Sequence, residues 1–274
     1  MGAMTNSDTP DTNIAAGDGT ASAHPDPAAD ATRVPDFGKG ALPYGRPMQT
    51  EFDDGLEYPR IGGVSFRRGT LTPGQSAIWD EHWDRVGTVL SDEKIDVEEW
   101  FGRTGPTIVE IGCGTGTSTV AMAPKEADHN IIAVELYKPG LAKLLSAMTR
   151  EGVDNIRMVR GDGVEVLQRM IAPESLDGVR LFFPDPWPKA RHHRRRFVTP
   201  EHLIPLHRVM APGAEFRVAT DIPDYMRQTL EEVPAAGFTL VHEGPEPWDD
   251  WHSTRYEQKA LREGRVPHYA TFRR

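Results

Sequence analysis

The sequence predicts an α/β fold: a mostly parallel, seven-stranded sheet with helices on both faces. Three observations carry this. Short apolar runs alternate with amphipathic ones from Pro73 onward, a glycine-rich turn follows the first strong apolar run, and several runs end on an acid. The strand candidates are 107–111, 131–135, 156–160, 179–183, 214–220, 238–242 and 268–273. Helix candidates are 117–126, 138–150, 163–171, 199–210, 222–233 and 254–263. An earlier helix starts where Thr72 can cap and Pro73 can occupy the first turn, and it is expected to run to about Leu90. Ligands of such sheets sit at the carboxyl ends of the strands, near the point where strand order reverses.

Three segments divide the 274 residues. Residues 1–40 are rich in Ala, Asp, Thr, Pro and Gly and nearly free of large apolar side chains. They cannot bury enough surface to offset ordering entropy, so they read as a disordered acidic tail. Met1-Gly2-Ala3 ahead of Met4 reads as an expression scar. Residues 41–72 read as an irregular basic arm with Arg60, Arg67 and Arg68. Residues 73–274 form the α/β domain.

A formal net charge of −10 argues at first against a nucleic-acid partner. The first 60 residues hold ten acids against four bases, however, so the remainder carries only −4. Association follows the local field, and a basic stripe on such a body can bind phosphates. No apolar run approaches the ~20 residues of a membrane span, and no secretory signal is present. One cysteine, Cys113, excludes an internal disulfide framework and a four-thiolate metal site. A cytoplasmic location and no metal are the expectation.

The first predicted domain strand runs into Glu110-Ile111-Gly112-Cys113-Gly114-Thr115-Gly116. Gly112, Gly114 and Gly116 let the backbone turn sharply and approach a ligand. Glu135 closes the next strand, nineteen residues after Gly116, where a carboxylate can accept both hydroxyls of a ribose. Asp162 follows the third strand, placed to accept from an adenine amino group. A dinucleotide would want G-x-G-x-x-G and amides facing a pyrophosphate. Here the spacing is G-x-G-x-G, and acids stand at successive strand ends. They suit a cofactor without phosphate and with cationic groups, S-adenosylmethionine. Cys113 reads as packing. Methylation at a pyrimidine carbon needs a cysteine nucleophile, and the fourth strand end has none.

Residues 182–196 read FFPDPWPKARHHRRR. Three prolines in five positions stiffen a turn that presents Asp185 and the aromatic Trp187. Lys189, Arg191, His192, His193, Arg194, Arg195 and Arg196 follow, a cationic ridge beside a fixed carboxylate. The two histidines lack a third nearby ligand for a metal. Asp221 ends the fifth strand and can also cap the next helix. Near the C-terminus, Thr254, Arg255, Tyr256 and Glu257 open a basic helix, with Thr254 and Glu257 spaced as a capping box.

Together these residues resemble the bacterial tRNA (guanine-N7)-methyltransferase family over about 61–274. The marks are G-x-x-S-F and the arginines at 62–68, Leu71-Thr72 with Gln75, E-I-G-C-G-T-G at 110–116, P-D-P-W-P-K-x-R-H at 184–192, Thr220-Asp221, and T-x-Y-E at 254–257. Arg255 and Tyr256 replace the commoner Lys and Phe. The resemblance implies a Rossmann-like class I methyltransferase fold and cofactor contacts from Glu110, Glu135, Asp162 and Asp185. It makes Asp185 catalytic, and gives substrate contacts to Lys189, Asp221 and Thr254 to Glu257 and RNA contacts to 191–196. It implies transfer of a methyl group from S-adenosylmethionine to N7 of guanosine 46 in the tRNA variable loop, leaving S-adenosylhomocysteine. The tRNA is the one partner inferred. Two rivals differ in what they require. A transferase acting on protein or small molecules has no need of the 191–196 ridge. A non-catalytic RNA-binding module tolerates loss of Asp185.

Overall fold

The structure, a computed structural model, describes residues 70–274 and the backbone of two strands, β1 (Thr50–Glu51) and β2 (Glu57–Tyr58), which pair antiparallel. The tail at 1–40 and Arg60, Arg67 and Arg68 of the arm lie outside the described residues.

Helix α1 (Pro73–Val86) starts as its sequence predicts. Thr72 Oγ1 accepts from the Gln75 amide at 3.3 Å, and the Gln75 side chain accepts from the Thr72 amide at 3.0 Å. It stops short of Leu90. Gly87 packs so closely that a Cβ would lie 2.3 Å from the Trp83 ring, and the β-branched Thr88 and Val89 favour extended backbone. Residues Gly87–Val89 therefore form a strand, β3, paired parallel with β6 (Ile156–Arg160). This strand corrects the expected seven-stranded sheet to eight. A short helix, α2 (Val97–Phe101), was also not anticipated. It is capped by Asp96 and stopped by Gly102 at φ 68°.

The remaining elements follow the alternation. They are β4 (Thr107–Ile111), α3 (Thr117–Met122), β5 (Asn130–Glu135), α4 (Lys138–Glu151), β6, α5 (Gly163–Arg169) and β7 (Leu176–Phe182). Then come α6 (Pro200–Val209), β8 (Met210–Thr220), α7 (Pro223–Ala235), β9 (Thr239–Gly244), α8 (Arg255–Arg262) and β10 (His268–Arg273). The sheet order is β3-β6-β5-β4-β7-β8-β10-β9. The first six strands are mutually parallel, and β10 runs antiparallel to β8 and β9. The chain winds outward from β4 through β5 and β6, then returns to β7 on the other side of β4. The order therefore reverses between β4 and β7, where a ligand crevice opens.

The central strands read as continuous apolar runs because both faces are covered. Val109, Ile111, Ile132, Val134, Val179 and Leu181 pack toward Leu203, Leu206 and Tyr225. Ile131, Ala133 and Met158 pack on the other face with Leu141, Leu144 and Leu145 of α4. Full burial of each large aliphatic side chain stabilises by about 1.5–3 kcal/mol. One charged pair sits inside this core. Arg180 of β7 is 3% exposed and bridges to Glu126, and it stands opposite Glu110 across the β4–β7 ladder.

Candidate active site

The glycine turn is fixed by backbone geometry. Gly112, Gly114 and Gly116 lie at φ 71°, 59° and 67°, the left-handed region that side chains disfavour. The Val134 carbonyl accepts from the Gly112 amide at 2.8 Å. Glu135 staples the turn to the end of β5: Oε2 accepts from the Gly114 amide at 3.0 Å, and Oε1 from the amides of Leu136 and Tyr137 at 2.8 and 2.9 Å. Helix α4 packs onto the same turn. A Cβ on Gly140 would lie 2.4 Å from the Gly114 carbonyl oxygen. Gly140→Ala is expected to lower stability by about 1–3 kcal/mol, and urea unfolding measures it.

Asp162 caps α5. Its Oδ1 accepts from the Val164 and Glu165 amides at 2.9 and 3.2 Å, while its second oxygen takes no hydrogen bond among the described residues. Glu135 and Asp162 both line one cleft at the carboxyl ends of β4, β5 and β6, opposite Trp187, Arg195, Phe197 and His202. Burial holds both carboxyls above their usual range, against the pull of the amides they accept from. The Asp185 charge adds the smallest part of the upward push on Glu135, so the two carboxylates lie within electrostatic reach of each other.

Glu110 departs from the expected ring of four acids. Side chains alternate along a strand: Ile111 faces the cleft, and Glu110 turns to the opposite side, under the glycine turn. Only 2% exposed, it accepts from Thr119 Oγ1 at 3.0 Å, while its Oε2 has no hydrogen-bond partner among the described residues. Burial pushes its carboxyl up, and the Arg180 charge and Thr119 oppose this. Cys113 lies near both Glu110 and Glu135. Burial, then their charges, push its thiol well up, so it is a packed thiol and not a thiolate.

Asp185 is exposed on the loop after β7. Two bulky residues flank it in left-handed backbone, Phe183 at φ 49° and Trp187 at φ 40°. Such conformations cost about 1–3 kcal/mol each and persist only where surrounding contacts enforce them. The Phe183 amide donates to the Ala219 carbonyl at 2.7 Å, and Arg196 Nε donates to the Pro186 carbonyl at 3.1 Å.

The cationic run is not one surface. A 3-10 turn over Ala190–Arg195 sends its members in different directions. Lys189, Arg191 and Arg194 are exposed. Arg195 lies over the Trp187 ring at 5.0 Å, and His192 meets that ring edge-on at 5.9 Å. Desolvation and then the neighbouring cations hold the His192 imidazole below its usual range, so it adds no charge at neutral pH. His193 is half-buried, 3.4 Å from Asp224. Arg196 corrects the expectation of an RNA contact. It is 1% exposed, with Nη1 2.9 Å from Asp224 and 2.8 Å from Gln228.

Three further expectations change. Asp221 pairs with Arg265 and does not cap α7; Ile222 holds the cap position, and its amide donates to Thr220 Oγ1 at 3.2 Å. The capping box at α8 is half formed. Thr254 accepts from the Glu257 amide at 3.0 Å, but the Glu257 carboxylate turns inward, taken by Trp251 Nε1 at 2.9 Å and by the Tyr269 hydroxyl. Glu257 and Thr254 thus hold the segment, a correction to the substrate contacts expected of them, while Arg255 and Tyr256 face solvent, Tyr256 at 64%. Trp248 and Trp251, not singled out in the sequence, pack behind the loop on Phe182, Phe183 and Tyr269. Their W-x-x-W spacing in a polar, proline-flanked stretch was the available signal. His202, on the cleft wall, gave none: a lone histidine on an amphipathic helix reads as core.

Among the described residues no helix is long and apolar enough to cross a membrane. Nor do three or more His, Cys, Asp or Glu side chains gather to hold a metal. Residues 104–270 match the family described as "Putative methyltransferase". A tRNA (guanine-N(7)-)-methyltransferase of Corynebacterium efficiens is 57% identical, covering 81% of this chain and 90% of that one. The Corynebacterium jeikeium protein of the same name is 63% identical over 81% of this chain and 90% of its own. That of Corynebacterium glutamicum is 53% identical over 83% and 91%. Among solved structures, an antibiotic-related methyltransferase is 16% identical, with a TM-score of 0.49 over 66% of this chain and 97% of that one. With these relatives matched along most of their length, and a glycine turn, strand-end acids and a proline-pinned Asp185 on one doubly wound sheet, the chain belongs to the tRNA (guanine-N7)-methyltransferase family.

Proposed function

We infer that this chain transfers a methyl group from S-adenosylmethionine to N7 of guanosine 46 in the variable loop of tRNA, giving 7-methylguanosine. The observation that carries the reading is the placement of Asp185. It stands on a strained, proline-stiffened loop, its charge felt at Glu135 in the cleft, with exposed Lys189, Arg191 and Arg194 beside it.

The residues present fit S-adenosylmethionine. Acids at the cleft disfavour a phosphate-bearing cofactor and favour one with cationic and hydroxyl groups. The Glu135 carboxylate can accept from ribose hydroxyls, and the second oxygen of Asp162 from the adenine amino group. Gly112, Gly114 and Gly116 bring backbone to the ligand. When bound, the cofactor supplies an activated methyl group on a sulfonium.

Guanine N7 carries a free lone pair, so the chain needs no base to deprotonate it. Its residues contribute position and field. Asp185, with Asp221 secondary to it, accepts from the guanine N–H groups and stabilises the positive charge that develops on the ring. Lys189, Arg255 and Tyr256 hold the substrate around it. The target base is buried in folded tRNA and has to be turned out, with Trp187 or Tyr256 as stacking platform. Arg191, Arg194 and Arg195 meet phosphates.

A tRNA carrying 7-deazaguanosine at position 46 tests the chemistry: it is expected to bind with near-normal affinity and accept no methyl group. Methyl transfer to that tRNA would exclude N7 as the acceptor. Arg191, Arg194 and Arg195 replaced together by Ala should weaken tRNA binding and flatten the log–log salt slope by up to about three units. An unchanged slope would mean that the ridge faces away from RNA. The raised carboxyls set the pH response. Cationic and hydroxyl donors favour the ionised forms of Glu135 and Asp162, so binding releases protons. Affinity for S-adenosylhomocysteine is therefore expected to be full at neutral pH and to fall as pH drops into the carboxylate range, with calorimetry in two buffers reading the proton release.

A further inference from the structure

The last arginine of the cationic run sits in a built, buried seat that phosphate binding does not require. The Arg196 guanidinium lies over the Tyr225 ring at 4.9 Å. Its Nη1 is shared by Asp224 Oδ2 at 2.9 Å and Gln228 Oε1 at 2.8 Å, and its Nε reaches the Pro186 carbonyl at 3.1 Å. The seat itself is anchored. Gln228 Nε2 donates to the Val198 carbonyl at 2.6 Å, and the Tyr225 hydroxyl accepts from the Phe197 amide at 3.0 Å. Helix α7 thus holds Arg196, and Arg196 holds the backbone between Asp185 and Trp187. That is the stretch where Trp187 is kept at φ 40°, and such backbone relaxes unless contacts enforce it. Prolines on both sides of Asp185 remove the Pro184 and Pro186 amides, so this segment has few backbone donors with which to hold itself.

We propose that Arg196 is a positioning residue for methyl transfer: through the Pro186 carbonyl it fixes the backbone that presents Asp185. It acts through another residue and touches no reacting atom. The three adjacent arginines then do three things. Arg194 faces solvent, Arg195 covers Trp187, and Arg196 braces the loop from within. Only a planar fork meets this geometry. A lysine keeps the charge but has one nitrogen, which cannot span Pro186, Asp224 and Gln228 together.

The proposal rests on the methyl-transfer reading, and the test separates the two. Arg196→Lys is compared with the wild-type full chain by steady-state kinetics on tRNA, salt-dependent tRNA binding and amide hydrogen exchange. We expect kcat to fall about tenfold to a hundredfold, the scale for a small displacement of a reacting group. The KM for tRNA and the salt slope should stay unchanged. Exchange should quicken at the hydrogen-bonded amides that border this stretch, Phe183 and His192, and not elsewhere. Gln228→Ala, which keeps the arginine and removes one acceptor, should shift the same readouts in the same direction by less. A raised KM with a flatter salt slope and intact kcat would overturn the proposal in favour of a phosphate contact. Exchange quickened throughout the domain, or no change at all, would overturn it too. If the wild-type chain makes no 7-methylguanosine, the methyl-transfer reading falls. The exchange pattern then decides on the brace by itself: acceleration confined to Phe183 and His192 upholds it, and any other pattern overturns it.

Discussion

Replacing Asp185 with alanine is expected to reduce methyl transfer to tRNA by about 10²–10³-fold or more, the scale for removing one preorganised electrostatic group from a reacting centre. Cofactor affinity should be mostly retained. The reason is positional. Asp185 is exposed on the loop after β7 and has no hydrogen bond to the glycine turn, which Glu135 holds through the Gly114 amide. Its loss therefore leaves the cleft intact. Single-turnover rates on tRNA, beside calorimetry with S-adenosylhomocysteine, separate the two quantities. Asp185→Asn sharpens the experiment, because it keeps the shape and the acceptor oxygen and loses only the charge. A large rate loss in Asp185→Asn assigns the effect to the field. Near-normal turnover in Asp185→Ala would remove the residue from its role.

The second large effect is on stability. Arg180→Met is expected to destabilise the fold by about 3–5 kcal/mol, because it leaves a buried partner uncompensated. Arg180 is 3% exposed and pairs with Glu126, whose side chain is 12% exposed, and it is the leading charge opposing the upward push on Glu110. Without it, two carboxyls share an apolar interior with no cation. The folded-state pKa of Glu110 rises further above its unfolded value, so the fold then favours its protonated form. The deficit should be largest at neutral pH and shrink as pH falls into the carboxylate range. Urea unfolding across that range measures it, and a loss below about 1 kcal/mol that does not vary with pH would contradict the assignment.

Much of this arrangement was legible because it depends on local pattern. Parallel strands covered on both faces are largely apolar, so β4 and β5 showed through Ile108-Val109 and Ile131–Val134. The strand-end acids followed from those runs, and Asp162 both caps α5 and faces the cleft, as one carboxylate with two oxygens can. What sequence hid depends on direction. Glu110 and Ile111 are neighbours in the chain and point to opposite faces, so an acid at a strand end need not reach the ligand. In 191–196 the charges look alike, and only the 3-10 turn separates Arg194 in solvent from Arg196 in the core. Strand β3 escaped notice because three residues are too few for a periodic signal, and they follow directly on a helix. Thr254 and Glu257 have the spacing of a reciprocal cap. Glu257 instead meets Trp251 and Tyr269, partners supplied by the tertiary fold.

The proposed reaction needs strand-end acids around a methyl donor and a cationic shoulder to dock RNA. Incubating the full chain with methyl-labelled S-adenosylmethionine and bulk tRNA, then digesting the RNA to nucleosides, tests that directly. The label is expected in 7-methylguanosine, to disappear in Asp185→Ala, and to map to guanosine 46. Label in any other nucleoside, or none in RNA while the cofactor is bound, would contradict it.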